Sequence, residues 1–312
     1  ANTTGTANVA VGYSAGISLT TGAYNTIVGA NAGMDLVTGG SCTFVGEEAG
    51  QNATGGANTF VGAFAGENYS GGNNNTSLGR AALLGVDGSS TGDNNVAIGY
   101  NSMLANTTGA SNVALGAFAL DANTTGASNT AVGQEALTTN VTGGDNSAFG
   151  RRALNSNTTG ASNTAIGLES LYANTTASNN TAVGTSALGA NTTGEGNTAV
   201  GYSAGLSVST GSNNVLIGQQ AGQSGVLLTT GAANTIIGNY AHTTAAGTID
   251  AQILGYNVAG EGGYTTVGNG ASDIRAANGT ATWAAVSDER YKKDIVDSTA
   301  GLSFINALQP RT

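Results

Sequence analysis

A glycine that follows a branched or large apolar residue returns along almost the whole chain, at Gly12, Gly29, Gly46, Gly62, Gly79, Gly99, Gly116, Gly133, Gly150, Gly167, Gly184, Gly201, Gly218, Gly238 and Gly255. Neighbours in this series lie 17 residues apart, except for one interval of 16 (Gly46 to Gly62) and two of 20 (Gly79 to Gly99, Gly218 to Gly238). So short and regular a period is the signature of a solenoid or fibre, in which each repeat packs on its neighbours. It overrides the two globular domains that a length of 312 residues would otherwise suggest. Ala1 already lies inside a repeat, Asn2-Thr3-Thr4-Gly5, without an initiator Met, and the chain reads as a piece of a longer protein.

The repeat Asn129-Thr130-Ala131-Val132-Gly133-Gln134-Glu135-Ala136-Leu137 shows what each coil offers. The residue before the marker glycine is always aliphatic or Phe, as in Val11, Leu78, Ile98, Leu115, Val132, Phe149 and Ile166, and is expected to be the buried β position. Thr or Val two residues earlier (Val9, Thr26, Thr130, Val215) shares its face. The opposite face carries the leading Asn and a residue that is Ala in the middle repeats (Ala97, Ala114, Ala131, Ala165) and Ile, Phe or Leu nearer the ends (Ile27, Phe44, Phe60, Leu216, Ile236). Both faces then look partly covered, as strands of parallel sheets are. The marker glycine allows a sharp bend or a close backbone approach, and Thr-Thr-Gly supplies the next corner.

The leading Asn (Asn8, Asn25, Asn58, Asn129, Asn146, Asn234 and others) predicts a ladder of amides hydrogen-bonded from coil to coil. At a strand spacing of about 4.8 Å, fifteen coils make a rod of roughly 70 Å. Ordering the backbone costs about 1 to 2 kcal/mol per residue. Against this, a middle coil offers few large apolar groups, such as Val132 and Leu137, each worth about 1.5 to 3 kcal/mol. Chains are therefore expected to bury their Ala-bearing faces against one another, three around an axis. The expected fold is all-β: a parallel β-solenoid or β-roll of 17-residue repeats over residues 1–259, forming a homotrimeric shaft. Residues 260–286 read as a transition, with Ile274-Arg275 breaking its glycine-rich run and a last strand at Thr280-Ala281-Thr282-Trp283. Residues 287–312 open with the charge-dense run Ser287–Ile295, and a short C-terminal helix is expected after it, its apolar face at Leu302, Ile305 and Leu308, stopped before Pro310.

Composition removes several functions. The net charge is −10, and the basic side chains before Gly270 are Arg80, Arg151 and Arg152, so neither nucleic acid nor a cationic membrane-surface helix is expected. No apolar run is long enough to span a bilayer. Cys42 is the single cysteine and occupies an Asn position of the ladder, so no intrachain disulfide forms. His242 is the single histidine and reads as a tolerated surface or core residue, and no Asp recurs as calcium-binding solenoid loops require. No cofactor or metal is expected. Arg151 and Arg152 read as a solvated pair.

Two enzymatic or binding alternatives remain. A polysaccharide depolymerase needs paired carboxylates, and Glu135 and Glu169, which share a repeat position, are two coils or about 9.6 Å apart. An ice-binding or glycan-binding solenoid would use the stacked corner pairs Thr107-Thr108, Thr124-Thr125, Thr158-Thr159, Thr175-Thr176 and Thr192-Thr193. Thr also simply favours turns and strands. The Asn-x-Ser/Thr triplets at Asn106, Asn123, Asn157, Asn174 and Asn191 follow from the repeat and are not read as glycosylation sites.

The pattern Asn163-Thr164-Ala165-Ile166-Gly167 and its copies resemble the head repeats of trimeric autotransporter adhesins, which form a trimeric parallel β-roll. The longer form, continuing through Ala-Leu to Asn-Thr-Thr-Gly, resembles the shafts of phage tail fibres and related bacterial fibres. Ser287-Asp288-Glu289-Arg290-Tyr291-Lys292-Lys293-Asp294-Ile295, followed by Leu308-Gln309-Pro310, resembles the opening of the peptidase S74 intramolecular chaperone of tail spikes and fibres. That resemblance implies a C-terminal segment that trimerises, guides fibre assembly and cuts itself off at the Ser287–Asp288 bond, with Ser287 as nucleophile and Lys292 as base. A lysine can take a serine proton when burial or a nearby cation, here Arg290 or Lys293, lowers its pKa. Together the resemblances imply an attachment fibre on a virion or cell surface, with itself as partner and a cell-surface receptor or glycan contacted elsewhere.

Overall fold

The computed structural model describes residues 2–270 and 272–280, and the backbone of 284–286. The chain is a parallel β-solenoid of about fifteen turns, and no helix occurs among the described residues. Three-residue strands run from Val9–Val11 to Thr235–Ile237, and Gln252–Gly255 adds the next rung. Each pairs in parallel with the strand one repeat away, in the register that the sequence repeat dictates: Thr130 faces Ser147, Ala131 faces Ala148 and Val132 faces Phe149. The intervals of 16 and 20 residues leave this register intact, because Val45 faces Val61 and Leu78 faces Ile98.

The marker glycines are where coils come closest. Gly133 has φ +132°, and a Cβ there would lie 2.6 Å from the carbonyl carbon and oxygen of Gly150. A side chain is thus excluded by both conformation and space. The bends on either side of each strand use left-handed residues at fixed places. Glu135 (φ 58°) and Ser128 (φ 59°) send their N–H groups to Ala117 and Ala110 of the preceding coil, each at 3.0 Å, whereas Leu137 N–H reaches Ala153 of the following one at 3.0 Å. Backbone polar groups are in this way paired between coils around the turn, as buried backbone requires.

The strand faces are reversed relative to the sequence expectation. Ala131 and its equivalents from Ile27 to Ile253 are buried inside their own chain, together with Asn129, Ala136, Leu137 and Asn123. The Ala-bearing face is therefore the lining of a single-chain core and is not available to other chains. The aliphatic row before the marker glycine points outward and is half-buried or exposed, with Phe149 at 41%, Ile166 at 42% and Leu254 at 50%. The reason is the bend: Ala136 and Leu137 fold back to fill the space opposite the strand, and beside Leu137 the narrow interior leaves room only for Ala131 on the facing wall.

Bulk is exchanged across this interior. Where the residue four after the marker is large, as in Met103, Leu120, Leu137, Leu154, Leu171 and Leu188, the inward strand residue is Ala97, Ala114, Ala131, Ala148, Ala165 or Ala182. Where it is glycine, a large strand residue of the same coil or of the following one takes the room. A Cβ on Gly50 would lie 2.9 Å from the Phe44 ring, one on Gly66 2.4 Å from Phe60, and one on Gly205 2.5 Å from Leu216 Cδ1. Phe44 and Phe60 stack in successive coils with centroids 5.1 Å apart.

Two internal Asn ladders run along the rod. Asn129 donates from Nδ2 to Asn112 Oδ1 (3.2 Å) and to the Gly143 carbonyl (2.8 Å), and its Oδ1 accepts from Asn146 N–H (3.0 Å) and Nδ2 (3.1 Å). The second ladder links Asn106, Asn123, Asn140, Asn157, Asn174 and Asn191 through Nδ2 to Oδ1 bonds of 2.8 to 3.1 Å. Tyr69 heads this second ladder: its hydroxyl accepts from Asn106 (2.8 Å) and from Asn95 of the first (3.1 Å). At the other end Val208 follows Asn191, whose Oδ1 has no partner. Cys42 interrupts the first ladder, its Sγ lying 3.5 Å from the Gly55 carbonyl. Burial pushes its thiol up, keeping it protonated.

Beyond Gly255 the sheet continues. Tyr264–Gly268 pairs in parallel with Gln252–Gly255, and Asp273–Ala277 then turns back antiparallel to it. Ala284–Val286 pairs antiparallel with Asp273–Ala277. Ile274 and Arg275, expected to break the rhythm, are thus in a strand. Of the expected last strand, Thr280 is a non-strand residue following a turn and 281–283 lie outside the described residues.

Candidate functional site

Ser287 and Lys292, the residues that carry the self-cleavage expectation, lie outside the described residues, as does the helix expected before Pro310. Within the described solenoid, function rests on its outer surfaces, because the interior is filled by Ala, Leu and Asn side chains.

One of these is the outward face of the strands. Two rows run its length, one led by Val9, Thr26, Thr43 and Thr59 and continuing through Gln252, the other by Val11, Val28, Val45 and Val61 and ending at Leu254. No residue of either row is charged in any of the fifteen coils, although the chain carries eighteen acidic residues. Thr and aliphatic side chains alternate across the face because successive outward positions are two residues apart.

The bend beside this face carries one chain of ion pairs. Glu135, Arg152 and Glu169 occupy the same repeat position in three successive coils, and Arg152 Nε lies 2.7 Å from Glu135 Oε2, with Nη1 3.7 Å from Glu169 Oε1. Arg152 is thus an ion-pair bridge, a correction to its reading as half of a solvated pair. Hydrogen bonding to Glu135, and then its charge, raise the guanidinium pKa. The signal was in the sequence, in the alternation Glu, Arg, Glu at one repeat position. An arginine held between the two carboxylates also separates them chemically, which argues against the acid and base pair of a depolymerase.

No family model, curated protein or solved structure matches the chain. Function must be read from these surfaces alone.

Of each corner Thr pair, the first hydroxyl is used within the rod: Thr107, Thr158 and Thr192 donate to the carbonyls of Thr124 (2.9 Å), Thr175 (3.0 Å) and Ser209 (3.0 Å). The second, as in Thr108, Thr125, Thr159 and Thr193, is exposed. A shallow groove of about 280 Å³ opens over Gly189, between Tyr172 and Leu206, where the row lacks a side chain. Its lining includes the single carboxylate of Glu169. Among the described residues no group of three His, Cys, Asp or Glu side chains could hold a metal ion. His242 sits in the short strand His242–Thr243, half-buried, with Nδ1 3.0 Å from the Tyr240 carbonyl.

Proposed function

We propose that the chain is the shaft of a homotrimeric attachment fibre, its copies meeting through the outward strand face. The observation that carries this is the absence of charge from both outward rows on a chain of net charge −10. An unpaired solvated surface has no reason to exclude charge along fifteen coils, whereas a seam between like-charged copies does. The face is about 70 Å long and about 10 Å wide, on the order of 700 Å². Stable interfaces use about 800 Å² per partner. Three such faces close around an axis and leave no free patch to extend into aggregates.

In this reading the solenoid is a stiff spacer that projects a receptor-binding part, and the Ser287–Ile295 segment starts an assembly chaperone that releases itself. The repeat and the Ser-Asp-x-Arg-x-Lys-x-x-Ile motif support that role by resemblance. The test is the mass in solution of the chain expressed with its complete downstream region. A trimer is expected, and Ile166→Asp with Phe149→Asp should yield folded monomers. A wild-type monomer overturns the shaft. Release of the C-terminal segment should be abolished by Ser287→Ala or Lys292→Ala while the fibre still forms; an intact wild-type chain removes the peptidase and leaves the shaft.

A further inference from the structure

One outer cluster is used by neither the core nor the seam. Arg80 is exposed, one residue past its marker glycine, with its guanidinium carbon 5.5 Å from the Phe64 ring centroid and 5.8 Å from that of Tyr100. Phe118 extends the cluster by packing edge-on against Tyr100, centroids 5.2 Å apart. Four successive coils thus present Phe64, Arg80, Tyr100 and Phe118 side by side.

Two features set this cluster apart from ordinary surface. Among the described arginines, Arg152 and Arg275 have carboxylate partners, and Arg151 has no ring. Arg80 alone is braced by aromatic faces with no ion pair, and the nearest carboxylate in its row, Glu47, is two coils away, about 9.6 Å by strand spacing. Stacking on rings leaves the in-plane N–H donors free, so the ordering cost of an anion clamp is largely met in advance. Phe64 (φ 61°) and Phe118 (φ 58°) occupy a left-handed position that Asn31, Glu48, Asn101 and Ser186 fill in other coils. The bend imposes this conformation coil after coil, at Tyr240 (φ 60°) as well, so the fold itself sets where both rings stand.

The geometry points to a binding site for a carboxylated sugar, with Arg80 clamping the carboxylate and Phe64 and Tyr100 contacting the C–H faces of the pyranose ring. A single braced cation neutralises one charge, which suits a sugar acid and not a dense polyanion, since the surrounding chain is acidic. Peptide capture by strand pairing is closed off, because the local backbone is already paired between coils: Gly79 and Ala81 donate to Val61 and Ala63, and Arg80 accepts from Asn101. The site stands whether or not the chain is a fibre.

The experiment is isothermal titration of the folded chain with trigalacturonate, its methyl ester, inorganic phosphate and acetate, with solution mass and circular dichroism followed in parallel. Trigalacturonate should bind about tenfold or more tightly than its ester, because the charge-assisted bonds are lost with the charge. Arg80→Ala should abolish binding, Arg80→Lys should weaken it, and Phe64→Ser and Tyr100→Ala should weaken it while Arg80 remains. Equal binding of acid and ester, or unchanged binding by Arg80→Ala, overturns the site. Phosphate or acetate binding as tightly as the sugar acid overturns the sugar assignment. A change in assembly mass on Arg80→Ala, without loss of binding, assigns Arg80 to the seam instead.

Discussion

Moving one leucine across the solenoid interior tests whether bulk is truly exchanged between its two walls. Leu216 is fully buried and fills the room left by Gly205, whose added Cβ would lie 2.5 Å from Leu216 Cδ1. Leu216→Ala alone should cost about 2 to 5 kcal/mol, the transfer loss plus an unfilled cavity. Gly205→Leu alone should cost about 1 to 3 kcal/mol for overpacking. Holding a leucine at φ +61° adds about 1 to 2 kcal/mol. Leu188, one repeat earlier at φ 50°, shows that the backbone accepts leucine in this conformation. In the double variant the burial terms cancel, and only the conformational cost of about 1 to 2 kcal/mol remains. The coupling should therefore be favourable by roughly 2 kcal/mol or more. Native-state amide exchange at Gly205 and Leu188, which donate to Ala221 and Ala204 in the following coils, reads the local opening free energy directly. Additive losses, or a double variant less stable than either single one, would refute the exchange.

Other perturbations have definite signs. Cys42→Asn should stabilise by about 1 to 2 kcal/mol in denaturant unfolding, because it restores an Oδ1 acceptor facing Asn58 and rejoins the ladder. Gly133→Ala should cost more than about 3 kcal/mol, since its Cβ would overlap the Gly150 carbonyl. Tyr69, pushed up to about 12 chiefly by burial, stays protonated in the fold after an unfolded tyrosine has ionised. Its contribution is complete below about pH 10 and is lost as pH rises towards 12, by about 2 to 3 kcal/mol, which alkaline unfolding against a Tyr69→Phe control should show. Ala131→Val should destabilise the coil by about 1 to 3 kcal/mol, whereas Val132→Ala should spare the coil and weaken only the assembly, as thermal unfolding and solution mass would separate.

The period, the register, the Asn ladder and the close approach at the marker glycine were all legible, because each is repeated about fifteen times and each has one physical explanation. The direction of the strand was not. In a three-residue strand alternation leaves two choices, and Val132 is more hydrophobic than Ala131, so hydrophobicity alone selects the wrong one. The deciding information lies outside the strand, in Asn129 on the Ala side and in Leu137, which returns to fill the interior. The reciprocity of Phe60 with Gly66, or of Ala131 with Leu137, was present in the sequence but becomes visible only when two positions six residues apart are tabulated together. The Arg80 cluster was hidden because its members come from four coils and only the stacking brings them into contact.

The reversed strand changes what association would contribute. Counting only large apolar groups made one chain look too poor to fold, since a middle coil supplies little beyond Val132 and Leu137. That count left out Asn123 and Asn129, each fully buried and each bonded to the coils on both sides. Unsatisfied, two such amides per coil would forbid the fold; satisfied in ladders, they make every coil specify its neighbour, so register is fixed by polar matching and the narrow core needs little bulk. The single chain thus has a complete interior of its own. Copies brought together through the outward rows would not finish that interior but would cover an aliphatic and threonine surface that each chain already holds flat. Assembly and folding are then separable properties of this chain, and outer-row substitutions should move one without the other.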